Sequence, residues 1–433
     1  MNDIKKDIFI IPSGNKYIVY LPLRGVAFYA NNKTITAINS YLENGLFPYE
    51  VKNTTLFRRF QQLERIEIKE SDTKCVIDTS DKVMFILSQM CNLACSYCYA
   101  QESRSKEVLS KEKIKAVVDY ILSSNEDHSK TFSFIGGGEP MLTWGLLVWA
   151  INYITEETNK KKIKKSIGIT TNATLLNEER ILWLKKMNVK LCVSYDILPE
   201  IQNSQRNFSM STLNSFDVVD KNIHLLLKHE IPFRLRSTIT NKNVELMVDM
   251  VQFTVKNYPN INQLHFEPVS DTIENSNLYY EKFVKKFIEA YNVARENNIF
   301  VYNSILNSFF RIRKQFCVGE FCVTPTGDIV SCHRHSTEKD IAFSSFQYGR
   351  VEDGSVCINQ TSFHNAITVR QNRFNDCETC FAKWHCAGGC ISIRKTLSSE
   401  QQMFYCRFIK SMLISFLENK LLKKEVNYGQ VKL

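Results

Sequence analysis

The chain has 433 residues, 44% hydrophobic and 23% charged, the composition of a soluble globular protein too long for one ordinary core. No apolar run approaches the roughly 18 residues of a membrane-spanning helix, and the short apolar stretch after Lys6, broken at Pro12, makes a poor signal peptide, so a cytoplasmic protein without a membrane partner is expected. The net charge of +10 fits an acidic peptide or a solvated basic surface as well as nucleic acid; the densest basic run, Lys160–Lys165, reads as a wet loop, and no nucleic-acid partner is expected.

Residues 1–80 read as a separate small α+β domain. Phe9–Ile11 and Tyr17–Leu21 form two short strands around a Ser13-Gly14-Asn15 turn, and Thr34–Leu42 and Leu56–Leu63 are helix-like. Strands followed by helices loosely resemble the winged-helix peptide-recognition elements attached to peptide-modifying enzymes. A domain that only buttresses its neighbour is the other reading.

From residue 81 to about 305 strands and helices alternate. Val83–Leu87 is a buried-strand run, and Ser110 caps a helix with Ile114, Val117, Val118, Ile121 and Leu122 on one face. Strands near 131–135, 166–170, 190–195, 232–239 and 262–267 are separated by helices near 142–155, 177–187, 213–229, 243–257 and 277–296. Six βα units imply an α/β fold with a parallel sheet and outer helices, fewer than the eight of a closed TIM barrel. Strand alternation turns Phe233 and Leu235, Leu191 and Val193, and Leu264 and Phe266 toward the helices. Arg234, Arg236, Thr238, Cys192, Ser194, Asp196, His265 and Glu267 then face a polar interior, fit for a zwitterionic ligand or for internal Arg–Glu pairs. His224, on a helix, reads as surface or core filler.

The chemistry sits between the elements. After the first barrel strand comes Cys91-Asn92-Leu93-Ala94-Cys95-Ser96-Tyr97-Cys98. Three cysteines at this spacing suit an iron–sulfur cluster with one open iron; a zinc knuckle would want a fourth ligand nearby, and none follows between Ala100 and His128. Tyr97 places an aromatic face beside the cluster. Gly136-Gly137-Gly138-Glu139-Pro140 follows the second strand, and glycines there let backbone approach a ligand closely. The two motifs together resemble those of the radical S-adenosylmethionine (SAM) enzymes, whose fold is an open partial (β/α)6 barrel.

That resemblance implies a [4Fe–4S] cluster on Cys91, Cys95 and Cys98, with SAM chelating the open iron. It implies that Gly137, Gly138 and Glu139 receive the SAM amino group. Thr171-Asn172-Ala173-Thr174-Leu175-Leu176 is similar to the family's Thr-Asn-Gly-Thr-Leu-Leu turn, with Ala173 for Gly. Ser194-Tyr195-Asp196 and Arg206 resemble its Ser-x-Asp-Gly…Arg segment, with Ile197 for Gly. Asn172 and Ser194 become candidate ribose contacts, and Arg206 and Arg236 candidate carboxylate or substrate contacts.

Residues 306–433 carry Cys317, Cys332, Cys377, Cys380, Cys386, Cys390 and Cys406, an ordered set similar to the SPASM domain with its auxiliary [4Fe–4S] clusters. The likeness groups Cys377, Cys380, Cys386 and Cys406 around one cluster, and Cys317, Cys332 and Cys390 around another; zinc is the alternative. Cys322 is either a fourth ligand or a small buried hydrophobe, the latter preferred. Cys75, Cys192 and Cys357 fit no ligand spacing and are expected to be buried.

Most relatives of this kind act on peptides or proteins. The implied activity is reductive cleavage of SAM to a 5′-deoxyadenosyl radical, and hydrogen abstraction from a ribosomal precursor peptide to form a thioether or carbon–carbon cross-link. A flavodoxin or ferredoxin would donate the electron. The alternatives are an anaerobic sulfatase-maturing enzyme, against which stands His333 in place of an Asp, and a non-catalytic iron–sulfur peptide-binding partner.

Overall fold

The computed structural model describes residues 4–52, 54–66, 81–102, 104–123, 129–269, 276–371, 377–425 and 431–432. At the N-terminus, β1 (Phe9–Ser13), β2 (Lys16–Leu21) and β3 (Val26–Ala30) form an antiparallel meander, one strand more than the sequence predicts. Two helices follow, Asn32–Asn44 and Thr55–Glu64, capped by Asn31 and Thr54 accepting the amides of Thr34 and Phe57. The two-residue period of β2 divides its side chains between two cores. Val19 and Leu21 pack with Ile35, Ile38, Phe60 and Leu63 inside the small domain, while Ile18 and Tyr20 join the main core. Tyr20 hydrogen-bonds His385, and Ser13 donates to Glu418 at 2.5 Å. The small domain is thus docked firmly on the C-terminal third.

The barrel strands follow in order: β4 (Lys82–Phe85), β5 (Ser129–Phe134), β6 (Lys164–Thr171), β7 (Val189–Ser194), β8 (Phe233–Ile239) and β9 (Gln263–Pro268), all parallel. A seventh parallel strand, β10 (Phe300–Tyr302), extends the run; three residues are too few to stand out as a strand pattern. Phe132, Phe134, Ile167, Ile169, Leu191, Val193, Leu235, Leu264 and Phe266 enter the main core beneath the outer helices, as the alternation requires. Arg236, His265 and Glu267 lie half-buried on the other face.

The sheet does not stop near residue 305. β11 (Phe321–Val323) runs parallel beside β4 and continues into the antiparallel strands β12 (Asp328–Val330), β13 (Gln347–Glu352) and β14 (Ser355–Ile358). The result is one eleven-stranded sheet, open at β10 and β14. A long helix, Ser399–Glu425, packs along the helix Ser276–Glu296 through Phe408 on Tyr280 and Phe283. The last strand, β15 (Val431–Lys432), pairs with β3.

Some expectations change. Lys160 ends a helix and Lys164 begins β6, so the basic run is only partly loop, with its side chains exposed or half-buried. Cys192 is buried, but Cys357 is exposed because β14 is the sheet edge; Cys75 lies outside the described residues. His224 is exposed on its helix. Among the described residues no helix is long and apolar enough to cross a membrane.

Candidate active site

The loop Cys91–Cys98 follows β4 and is held from a distant part of the chain. Ala94 donates to Asn207 O at 2.8 Å, Ser96 to Gln205 O at 2.9 Å, and Ser209 returns a bond to Asn92 O at 3.0 Å. The bracing segment follows a short helix, Pro199–Gln205, that sequence periodicity did not predict. Arg104 adds a bond to Leu93 O at 2.8 Å. Burial pushes the thiols of Cys91 and Cys95 up, Cys95 to about 11.

The glycine-rich turn lies directly against this loop. A Cβ on Gly137 would stand 1.7 Å from Gln89 Oε1, and one on Gly138 would stand 1.8 Å from Met90 O. Gly138 N bonds Ser88 O at 3.0 Å and Glu139 N bonds Met90 O at 2.8 Å. Only glycine permits that approach. Glu139 is buried, and its carboxylate accepts from Thr171 Oγ1 at 2.6 Å, Asn172 N at 2.7 Å and Met141 N at 3.1 Å. It latches the turn after β5 to the turn after β6, a role the motif did not announce. Burial raises its pKa against those three bonds.

Asn172 lies in the same latch: its side-chain amide donates to Asn92 at 2.9 Å and lies 4.0 Å from the Cys91 sulfur. Behind the loop, Arg206 donates to the Tyr97 hydroxyl at 2.7 Å, and Tyr97 donates to Asp196 Oδ2 at 2.8 Å. Asp196 is fully buried and also accepts from Gln205, Ser237 and the amide of Thr238. Ser194 and Arg236 stand in register on β7 and β8. Arg236 lies beside Glu267, which His265 and Ser304 bond at 2.6 and 2.9 Å. Burial alone would raise the Glu267 pKa, but His265 and Arg236 hold it at about 2.

The two positions where the resemblance expects glycine keep a glycine-like backbone. Ala173 has φ +60° and Ile197 φ +65°, the left-handed region, which is costly for a β-branched residue. Both side chains are fully buried. Neighbouring bonds over-determine the Ala173 turn: its amide donates to Thr171 and its carbonyl accepts from Asn222.

Among the described residues, three buried polar atoms around this loop have no partner: Gln89 Oε1, an acceptor, and the Nε donors of Arg206 and Arg104. With the glycine cradle, they suit a ligand carrying both an ammonium and a carboxylate, as SAM does. The residues present fit that group.

The C-terminal cysteines fall into two groups. Cys377, Cys380, Cys386 and Cys406 line one cavity with Lys383, Arg394 and Lys410. Burial first, then the neighbouring thiols, push Cys386 up to about 12. Cys390 lines the same cavity, yet it also raises the pKa of Cys332 and Cys317 from the other side. Cys322 is fully buried on β11 among Ile86, Val330 and Phe343. Among the described residues no three His, Cys, Asp or Glu side chains converge closely enough for a single metal ion, as a lone zinc with bonds of about 2.3 Å would require.

Tyr99 and His335 escaped the sequence reading, which noted His333 only as standing in place of an Asp. Tyr99 donates to Gly136 O at 3.1 Å, stacks edge-on with His333 and lies under Arg334. Burial raises its pKa, Arg334 opposes that, and Cys98, Cys322 and Cys332, in that order, add to it. His333 is held by Glu320 through its amide at 2.6 Å and Nδ1 at 2.9 Å. His335 donates to Asp340 and accepts from Ser392, both at 2.7 Å. With Ser392 only 2% exposed this is a brace tying the Cys332 loop to the helix after Cys390, not a hydrolytic triad. An aromatic directly after the third cysteine was the one signal that pointed to Tyr99.

Residues 85–254 match the family described as the Radical SAM superfamily. An uncharacterized protein of Methanocaldococcus jannaschii is 29% identical over 42% of this chain and 60% of its own, so this chain spans less than two thirds of that relative. The radical SAM cyclopropyl synthase TigE of Paramaledivibacter caminithermalis is 21% identical over 84% of this chain and 78% of its own. A cysteine-type anaerobic sulfatase-maturating enzyme of Clostridium perfringens is 21% identical over 75% and 92%. Among solved structures, native anSMEcpe with bound AdoMet has TM-score 0.67 and 19% identity, covering 80% of this chain and 100% of that one. Streptococcus suis SuiB bound to precursor peptide SuiA has TM-score 0.53 and 14% identity over 91% and 97%. At such identities the structural likenesses establish the fold.

Proposed function

Residues 85–254 being a radical SAM domain, we propose that this radical SAM enzyme is a peptide maturase that forms a thioether or carbon–carbon cross-link in a ribosomal precursor. Cys91, Cys95 and Cys98 would hold the SAM-binding [4Fe–4S] cluster. Cys377, Cys380, Cys386 and Cys406, and Cys317, Cys332 and Cys390, would hold two auxiliary clusters. When bound, the first cluster and SAM supply a radical that takes hydrogen from an unactivated carbon.

The carrying observation is Tyr99. It bonds the glycine turn beside the first cysteine loop and also touches His333 and Arg334 of the Cys332 loop, which supports a site shared by the two cysteine groups. This chain's residues perform the rest. The glycine cradle and Arg206 orient a zwitterion, Asp196 fixes Tyr97, and Glu320 holds His333 against Tyr99. The precursor-bound state of SuiB, a protein of this fold, supports a peptide occupant. Residues 1–80, 81–305 and 306–433 would be the peptide-recognition, radical SAM and SPASM units.

The test is anaerobic reconstitution, followed by assay of 5′-deoxyadenosine and of mass change in short peptides encoded beside the gene. The reading requires SAM cleavage with dithionite and a peptide losing two hydrogens per cross-link. The sulfatase-maturing alternative has support in its relatives. Conversion of a sulfatase-derived Cys peptide to formylglycine, with no cross-linked product from any neighbouring peptide, would establish it instead.

A further inference from the structure

The helix Gln360–Gln371 carries its last turn against the second group of C-terminal cysteines. Val369 and Cys332 both pack on Phe346 and on Ile391, the residue after Cys390. The next side chain, Arg370, is 6% exposed and makes no ion pair among the described residues. Its Nη1 donates to Ala366 O, and its Nη2 donates at 2.9 Å to the carbonyl of Ser331, the residue before Cys332. These bonds set the guanidinium carbon 5.9 Å from the centre of the Phe346 ring. Nε is buried with no partner, although a buried charge ordinarily has its donors engaged. Glu320, the carboxylate beside the same cysteines, is taken by His333. Burial raises the Cys317 thiol, and Arg370 is the foremost charge opposing that rise.

We propose that Arg370 tunes the auxiliary cluster on Cys317, Cys332 and Cys390: its Nε–H donates to a cluster sulfur, and its charge raises the reduction potential. The inference rests on the auxiliary-cluster part of the function proposed above. Reduction adds one electron to that cluster, taken from a reductant such as dithionite; no bond forms or breaks and no proton moves. The added charge spreads over iron and sulfur, where a fixed cation and a hydrogen bond both stabilise it. Arginine suits the place because its guanidinium stays charged on burial and its donors are fixed in one plane. Nη1 and Nη2 hold that plane still through two carbonyls and leave Nε–H for the cluster.

The test is an EPR-monitored redox titration of the anaerobically reconstituted full-length enzyme, as wild type, Arg370→Gln and Arg370→Lys, with iron measured on each. Gln removes the charge, whereas Lys keeps it and lacks Nε–H. Arg370→Gln should keep about 12 iron atoms and lower one of three cluster potentials by about 59 mV, a tenfold loss of electron affinity in a one-electron couple. Arg370→Lys should lower the same potential by less, and the other two potentials should not move in either variant. A purely structural brace would change the melting temperature and leave all three potentials alone. Full iron with three unchanged potentials in both variants would therefore overturn the proposal, as would a potential that rises. Loss of four iron atoms from both variants would overturn it as well, since Arg370 would then build the site and not tune it. A wild type with about 8 iron atoms and only two potentials would instead remove the auxiliary-cluster reading itself, and the proposal with it.

Discussion

Replacing Gly138 by Ala puts a methyl group 1.8 Å from Met90 O, 2.6 Å from Met90 C and 2.7 Å from Gln89 C. Ordinary carbon contacts need about 3.5 Å, so one backbone must retreat by about 1.5 Å or more. Both neighbours are main chain and cannot swing aside. The retreat breaks or stretches the Gly138–Ser88 and Glu139–Met90 bonds, which fix the residues just before Cys91. Overpacking of about 1–3 kcal/mol plus two bonds of about 1 kcal/mol each gives roughly 3–5 kcal/mol. Gly145→Ala is the control: nothing lies within 4 Å of its Cβ, it is exposed in a helix, and it should gain about 0.5–1 kcal/mol. Anaerobic thermal melts of the metal-free proteins, and iron content after reconstitution, read both effects. Gly138→Ala should melt clearly earlier and lose about four iron atoms. If it melts with wild type and binds full iron, the close approach of the two loops does not exist.

Wild type reconstituted without oxygen should bind about 12 iron atoms, and the triple Cys91, Cys95, Cys98→Ala variant about 8, with no 5′-deoxyadenosine formed; stoichiometric zinc with little iron would contradict this. Ala173→Gly should raise the unfolding free energy by about 0.5–1 kcal/mol, relief of the left-handed strain less the freedom gained by the unfolded chain. Ile197→Gly should lower it, because about 2–5 kcal/mol of lost burial exceeds the same relief. Glu267 is more acidic folded than unfolded, so its contribution is complete above about pH 5.5 and fades as pH falls from its unfolded value toward 2. The stability gap between wild type and Glu267→Gln should therefore be flat above that pH and narrow by about 1 kcal/mol at pH 4; a gap that widens on acidification would reverse the sign. Cys322→Ala should keep its iron, since the side chain fills an apolar cluster; loss of four iron atoms there would make it a ligand.

The barrel was readable because its strands are apolar on alternate residues and its helices carry apolar stripes; β5 to β9 begin and end within two residues of expectation. β10 was not, at three residues, and although Phe321–Val323 reads as strand-like, its place beside β4 is decided by pairing rather than by local pattern. The cysteine loop and the glycine turn were legible as motifs, but their bracing was not. Tyr97 meets Asp196 across 99 residues of chain and Arg206 across 109. Glu139 shows the limit most clearly: the residue stood out, whereas the three donors that occupy its carboxylate come from the turn after β6 and from Met141. Ala173 and Ile197 looked like departures from a glycine pattern, yet both keep the glycine-like backbone, which at Ala173 the surrounding bonds impose.

The pairing of β11 with β4 has a mechanical consequence. β4 leads into Cys91, and the β11–β12 hairpin is flanked by Cys317 and Cys332; Ile86 donates to Val323 O at 2.9 Å to extend the ladder. The two cysteine groups therefore hang from adjacent strands of one rigid sheet. Swinging them apart like a clamshell would tear out main-chain bonds in the middle of that sheet, not flex a linker.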